Sequence, residues 1–147
     1  MIQIEHKSTT DGTLSVKLKG AIDESFDGRP IRAAARGDRV LINMAEVRAM
    51  TSTGVFAFTK FIDSIAPRQI VLLHVSAAMA RQLTILPGLF AAVRVESARL
   101  PFVCPTCGDE KDHSVPFQPS AHLAHAPTCA CGATMELDGI AEQYLPS

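Results

Sequence analysis

All four cysteines of this 147-residue chain lie in its last third, in two close pairs. Cys104 and Cys107 are separated by two residues, and Cys129 and Cys131 by one. A glycine follows each pair, which relieves backbone crowding in a tight turn. Two tight turns with cysteines at their corners let four thiolates converge tetrahedrally on one metal ion. The tail is therefore predicted to fold around a metal site made by both pairs.

This arrangement resembles a zinc ribbon. The 21 residues between the two pairs are close to the roughly 15 to 20 that separate the cysteine pairs of such sites. The second pair is one residue shorter than the usual pattern, because only Ala130 lies between its cysteines. Four thiolates close the coordination sphere, so we expect one structural Zn²⁺ and no catalytic metal. In so short a tail, metal binding is expected to supply much of the folding free energy.

Three alternatives to the tetrathiolate zinc site are open at this point. The cysteines could form disulfides, although a reducing compartment disfavours them. Iron could replace zinc, because four thiolates suit both metals. One of the loop histidines, His113, His122 or His125, could replace a cysteine of the second pair.

Charge divides the chain at the same place as the cysteines. Residues 1–96 hold twelve Lys or Arg and nine Asp or Glu, a net charge of +3, whereas residues 97–147 hold two and six, a net charge of −4. An acidic tail argues against capture of a nucleic-acid backbone. The longest apolar runs, such as IVLL at 70–73, are far shorter than the roughly 20 residues of a membrane helix. Because the N-terminus also lacks a signal-peptide pattern, we expect a cytoplasmic protein with no membrane partner.

The pattern of apolar residues before the tail predicts an α/β domain with the order β-β-α-β-α-β-α-β. Two period-two segments around TTDG predict a hairpin, and Pro30 and Gly37 bracket a predicted helix. The run RVLINM predicts a buried strand, and Ser76 is the expected N-cap of the third helix. We expect His74 to be a hydrogen-bonded core histidine inside the fourth strand. The segment AAVRVES predicts the closing strand.

The helix that follows Gly54 has an apolar stripe on one face. Its members recur at i, i+3, i+4 and i+7 and should face the sheet: Phe58, Phe61, Ile62 and Ile65. Phe56 falls off this stripe, near Lys60, and is a candidate for contact with a partner.

Residues 1 to about 97 resemble a STAS domain, the fold of bacterial anti-sigma-factor antagonists. The resemblance rests on GAID after the second strand, on AEVRAMTSTG between a strand and a helix, and on the final helix and strand. It implies a small sheet with helices packed on it, no catalytic machinery, and a role in partner-switching signalling. The implied partner is a regulatory protein such as an anti-sigma factor or a serine kinase, and homodimerisation is left open.

In such antagonists, a serine at the start of the helix is phosphorylated by the partner kinase, and Ser52 matches it. Thr51 stands where the family usually has aspartate. Two interpretations of Ser52 are open: a helix N-cap, worth roughly 1 kcal/mol, or a regulated phosphorylation site at the positive end of the helix. Asp23 is expected to be a turn residue, and it joins Thr51, Thr53 and Phe56 as a candidate of the partner surface.

The sequence thus predicts a STAS-like domain at 1–98 and a zinc-ribbon-like domain at 99–147. The first hypothesis for function is a non-enzymatic protein-interaction module in signalling. The alternative is an adaptor whose ribbon binds nucleic acid. No nucleophile constellation, phosphate loop or acid-base pair stands out, so we do not expect an enzyme.

Overall fold

The structure is a computed structural model that describes residues 2–66, 68–85, 88 and 93–147. It is a mixed α/β fold with two sheets. The strands of the first sheet are β1 (Gln3–Ser8), β2 (Thr13–Ile22), β3 (Arg39–Met50), β4 (Gln69–Leu73) and β5 (Val93–Val95). The helices between them are α1 (Arg29–Ala34), α2 (Ser52–Ile65) and α3 (Ala77–Ile85).

The predicted element order of the first part is confirmed. The strands lie side by side in the order β1-β2-β3-β4-β5, antiparallel between β1 and β2 and parallel elsewhere. Because chain order and strand order agree and such crossovers are right-handed, the three helices lie on one face of the sheet. Side chains of β2 accordingly alternate, with Val16 and Leu18 buried and Lys17 and Lys19 exposed. Ala91 and Ala92 of the predicted closing strand lie outside the described residues.

Strand β3 is twice as long as RVLINM and continues to Met50, directly before α2. It is buried on the helix-covered face only, through Val40, Ile42 and Met44, while Leu41 on the other face is half-buried. The predicted strand ended at Met44 because Ala45 and Glu46 interrupt the run of apolar residues. Pairing with β2 also shifts register near this point, which lets the strand continue past a bulge.

Helix α1 begins near Pro30 as predicted but ends at Ala34, three residues before Gly37. Gly37 is therefore no helix stop. A Cβ atom there would lie 2.1 Å from the carbonyl oxygen of Gly12 in the β1–β2 turn, so close backbone approach accounts for the glycine. The guanidinium of Arg68 donates to the carbonyl oxygens of Ala35 and Gly37, at 3.1 Å each, and holds this corner together.

The predicted apolar face of α2 is confirmed, because all four residues of its stripe are buried. Phe26, from the loop between β2 and α1, packs edge-on against Phe58 and Phe61 with ring centroids 5.4 and 5.6 Å apart. The predicted cap of α3 is also confirmed, since Oγ of Ser76 accepts a hydrogen bond from the Met79 N–H at 3.2 Å.

The tail forms a second, three-stranded antiparallel sheet that the sequence did not predict strand by strand. Its strands are β6 (Ser97–Val103), β7 (Glu110–Pro116) and β8 (Glu136–Leu137), in the order β7-β6-β8. A short helix α4 (Ala121–Ala124) and a 3₁₀ turn (Ala141–Gln143) complete the tail.

Strand β6 joins the two sheets. The Val75 N–H donates to the carbonyl oxygen of Ser97 at 3.0 Å, and the Arg99 N–H donates to that of Val75 at 2.8 Å. One cluster of buried apolar side chains runs from the first sheet into the second. The boundary predicted between residues 98 and 99 falls inside β6, and the separateness of the two parts stays a prediction.

His74 is hydrogen-bonded as expected, but its placement inside the strand is wrong. It follows β4, is half-buried, and has a left-handed φ of 52°. Its Nδ1 lies 2.5 Å from Oγ of Ser114, and its N–H donates to Oγ of Ser97 at 2.8 Å. A non-glycine residue in this conformation is uncommon, and these bonds from β6 and β7 hold it there. His74 therefore fastens the two sheets together.

The C-terminus folds back on α3. The Tyr144 ring is buried beneath Arg81, whose guanidinium donates to the phenol oxygen at 3.2 Å. The hydroxyl of Thr84 donates to the Gln143 carbonyl oxygen at 2.8 Å. None of the helices in the described ranges is long and apolar enough to cross a membrane.

Gly54→Ala should destabilise the fold, although alanine normally stabilises a helix interior by up to about 1 kcal/mol over glycine. A Cβ atom at this position would lie 2.1 Å from the Ile22 carbonyl oxygen, which is backbone and cannot move aside cheaply. We expect a loss of about 2 kcal/mol or more in the free energy of unfolding, measured by urea denaturation. Ser52→Ala, at an exposed position of the same turn, is the control and should change the free energy of unfolding by less than about 0.5 kcal/mol. A more stable Gly54→Ala protein would contradict the close approach.

Candidate metal centre

The structure brings the four cysteines of the tail together. Their Sγ atoms all lie within 4.8 Å of one another, and this is the group of potential metal ligands found in the described part of the chain. Two cross-pair distances are 3.5 Å: Cys104 Sγ to Cys131 Sγ, and Cys107 Sγ to Cys129 Sγ. Four sulfur ligands about 2.3 Å from a central ion lie about 3.8 Å apart in a tetrahedron, so the cluster has the size that a metal ion requires. No disulfide is present, since all four cysteines are free.

The first cysteine pair sits on a tight turn at the end of β6. The Cys104 N–H donates to the carbonyl oxygen of Asp109 at 2.8 Å, and the Gly108 N–H donates to that of Cys104 at 3.0 Å. Gly108 has a φ of 78°, which a glycine adopts without strain. The Cys107 N–H points at Sγ of Cys104 from 3.4 Å, as expected for an amide that stabilises a thiolate.

The second pair repeats this turn with one residue fewer. Here the Cys129 N–H donates to the Ala133 carbonyl oxygen at 2.8 Å, and the Gly132 N–H donates to that of Cys129 at 2.9 Å. Gly132 again has a positive φ, of 93°. The single residue between the cysteines is therefore absorbed by a shorter turn, and both sulfur atoms still reach the cluster.

Crowding of the thiols splits their pKa values. Hydrogen bonding from the Cys107 N–H lowers the pKa of Cys104 to about 6. The pKa of Cys107 is raised to about 12: the Asp109 N–H lowers it, but hydrogen bonds with the Cys129 and Cys104 sulfurs outweigh that contribution. The metal-free cluster thus holds a thiolate beside neighbouring protonated thiols. A bound cation would stabilise the sulfurs as thiolates, so that the protonated thiols would release their protons.

The loop histidines lie outside this cluster. His113 is on β7 with its ring edge-on to Phe102, and burial is the main cause that lowers its pKa. His122 is on α4, and His125 is exposed just after it. The geometry therefore favours the four cysteines over a set that includes histidine.

The second predicted site lies at the start of α2, where the N-cap is Thr51 and not Ser52. Oγ1 of Thr51 accepts a hydrogen bond from the Gly54 N–H at 2.9 Å. The capping interpretation of Ser52 is wrong, because the helix begins at Ser52 itself. Ser52 is exposed, and its hydroxyl has no hydrogen-bond partner among the residues that the structure describes.

The GAID segment and the TSTG segment meet at this surface. The Thr51 N–H donates to the Ile22 carbonyl oxygen at 3.0 Å, and the Thr53 hydroxyl lies 3.5 Å from a carboxylate oxygen of Glu24. Asp23 is a turn residue as expected, since its carboxylate accepts from the Ser25 N–H at 2.9 Å and from the Ser25 hydroxyl at 2.5 Å. These hydrogen bonds lower the pKa of Asp23.

Phe56 is exposed as expected, at 63% of its surface, one turn beyond Ser52. The Lys60 ammonium lies 4.7 Å from the centre of its ring, within the range of a cation–π contact. Asp23, Thr51, Ser52, Thr53 and Phe56 therefore lie around one end of one helix. Their contact with a partner stays a prediction.

A comparison with protein-family models found none that matches this chain, and a search of curated proteins found no match either.

Metal-free protein should bind one equivalent of Co²⁺ with the absorption of a tetrahedral thiolate complex, because the four Sγ atoms already surround one point. Cys107→Ser or Cys131→Ser should abolish the endpoint at one equivalent. Ala130→Ser, between two cysteines, is the matched control and should keep it. Affinity should fall as the pH falls, because protons compete for the thiolates. An endpoint that survives loss of Cys107 would show that the cluster is not the site.

Proposed function

We propose that this protein is a non-enzymatic interaction module of the STAS type, in which phosphorylation of Ser52 controls binding to a regulatory partner. The observation that carries the proposal is the free, exposed hydroxyl of Ser52 in the first turn of α2, released from capping by Thr51. The implied partner is an anti-sigma factor or a serine kinase of a bacterial cytoplasm.

The start of α2 can accept a phosphoryl group without unfolding. First-turn N–H groups have no partner within a helix, and Thr51 occupies only that of Gly54. The N–H groups of Ser52 and Thr53 remain at the positive end of the helix dipole, where negative charge is stabilised. Threonine in place of the family's aspartate keeps the cap, since both residue types are N-caps.

Phosphorylation would change the surface more than the fold. A phosphoserine adds roughly −1.5 to −2 charges at pH 7. It would stand one turn from the exposed Phe56, so that its charge and the cost of its desolvation oppose a partner docked on that ring. The switch therefore acts at the interface, while Gly54 keeps the helix fixed against β2.

For the tail we propose one structural Zn²⁺ held by the four cysteines as a zinc ribbon. Thiolate donors suit zinc and iron alike, and zinc is favoured because it has no redox chemistry and readily takes a closed tetrahedral site. Bound zinc would replace mutual repulsion of the thiolates by attraction to one cation. Two turns that contain Gly108 and Gly132 orient the sulfur atoms. Strand β6, which leads into the first turn, is hydrogen-bonded to Val75 after the first sheet's fourth strand.

Ser52→Asp should weaken capture of the native partner at least tenfold, and Ser52→Ala should retain it, although carboxylate imitates phosphate imperfectly. Quantitative mass spectrometry of proteins co-purified from the native cell measures this, and the same sample reports phosphate on Ser52. The control Ser15→Asp adds the same charge on the other face of the sheet, beside Lys7 in register. Equal capture by all variants, with unmodified Ser52, would leave the proposal without support.

Purified protein should contain about one zinc per chain and negligible iron by elemental analysis. Chelation should raise amide hydrogen exchange in segments 104–109 and 129–134, because the metal orders both turns. The central strands β2 and β3 should keep their protection, since their core is apolar. Iron in the site, or turns that stay protected without metal, would contradict the structural zinc.

A further inference from the structure

The tail carries a groove that neither the metal nor the Ser52 surface uses. It encloses about 450 Å³ between α4 and the segment that contains β8. His122, Leu123 and Ala126 form one wall, and Met135 and Leu137 lie on the other side.

Apolar side chains stand open at this groove. Leu123 is 72% exposed and lines it, and Ile140 is 57% exposed between two residues that line it, Gly139 and Ala141. These are two of the four large apolar side chains that are exposed in the described part of the chain. A single exposed apolar residue is ordinary, but Leu123 shares one concave surface with Met135 and Leu137, which indicates a contact site.

The outer edge of β8 offers main-chain hydrogen bonds at the same place. The Asp138 N–H donates to the Pro101 carbonyl oxygen, so Phe102 and Leu137 form a non-hydrogen-bonded pair of the antiparallel ladder. Leu137 therefore turns its own N–H and C=O away from β6, and the described residues provide no partner for them. Nδ1 of His122 is likewise buried at the groove without a hydrogen bond in the described structure.

The charged side chain among the residues that line the groove, Glu136, is acidic. Residues 112–147 contain no Lys or Arg and four acidic residues, of which Glu136 lines the groove and Asp138 follows Leu137 directly. A phosphate backbone is repelled by such a rim. A second copy that docked through the same face would bring the two acidic rims together. A basic partner meets complementary charge instead.

We propose that this groove binds an extended segment of another protein, in which an apolar side chain is flanked by Lys or Arg. The segment adds to the outer edge of β8 through the main chain of Leu137, its apolar side chain packs on Leu123 and Leu137, and its cations face Glu136 and Asp138. This is strand addition at the one open residue of the edge, since the neighbouring Met135 N–H already donates to the Pro127 carbonyl oxygen, and the groove supplies specificity. It is a second interaction surface, independent of Ser52.

The probe for the test is a displayed library of random twelve-residue peptides, selected on the metal-loaded full-length protein. Enriched peptides should share an apolar residue flanked by Lys or Arg. Their affinity, measured by fluorescence anisotropy, should fall at least tenfold with Leu123→Ser. Glu136→Gln should weaken binding and reduce its dependence on salt. Ile85→Ser, which removes an equally exposed apolar side chain elsewhere, should change nothing.

Other outcomes overturn the proposal. They are failure to enrich any basic-apolar pattern, peptides whose affinity ignores Leu123→Ser, tighter binding of single-stranded DNA than of peptides, and concentration-dependent self-association that Leu123→Ser abolishes. Co²⁺ spectra of each variant verify that the tail is folded. Ser52→Asp should leave peptide affinity unchanged, so that failure here and failure of the proposed switch are distinguishable.

Discussion

The packing of four sulfur atoms within 4.8 Å of one another is the constraint on which the tail depends. It brings together two turns that are 21 residues apart in sequence, so the chain between them must lead away from the first turn and back to the cluster. Strand β7 and helix α4 make that return; Cys104 directly follows β6, and Cys129 lies seven residues before β8. Without a cation the cluster contains thiols with strongly divergent pKa values. A bound metal ion would resolve this crowding and add its binding free energy to that of the apolar cluster that the tail shares with the first sheet.

A different constraint fixes the start of α2. Gly54 lets the helix approach the Ile22 carbonyl more closely than any side chain allows, and Thr51 supplies the cap. Thr51 and Gly54 thus fix the start of the helix, and the hydroxyl of Ser52 between them makes no structural hydrogen bond in the described part of the chain. A residue that holds no structural hydrogen bond can change its charge at little cost to folding, which is what a phosphorylation site needs.

The sequence predicted those elements whose cause is local. Period-two and period-3.6 patterns identified the order of the first eight elements, and the cysteine spacing identified the ligands of the cluster. It did not predict β6, β7 and β8, because their pairing depends on the meeting of distant turns and their apolar pattern is short. The cap was misplaced by one residue, since Thr51 and Ser52 can both cap a helix and the hydrogen bond from the Thr51 N–H to Ile22 depends on a long-range approach that the sequence does not record. The strained His74 likewise follows from long-range bonds to Ser97 and Ser114, which no local pattern records.

The contacts between the two sheets determine how binding at the Ser52 surface could influence binding at the groove. Coupling between sites requires an element with two arrangements that both ligands bias. The junction consists instead of the β6 pairing to Val75, the bonds of His74 and a shared apolar cluster, all of which favour one arrangement. Such a junction transmits folding stability, so loss of metal from the tail would lower the stability of contacts as far as α3, where Tyr144 packs beneath Arg81. The described contacts provide no second arrangement through which a change in affinity would pass. The two surfaces should therefore bind their partners additively, and the chain would act as a connector whose one end is switched at Ser52 while the groove end stays constant.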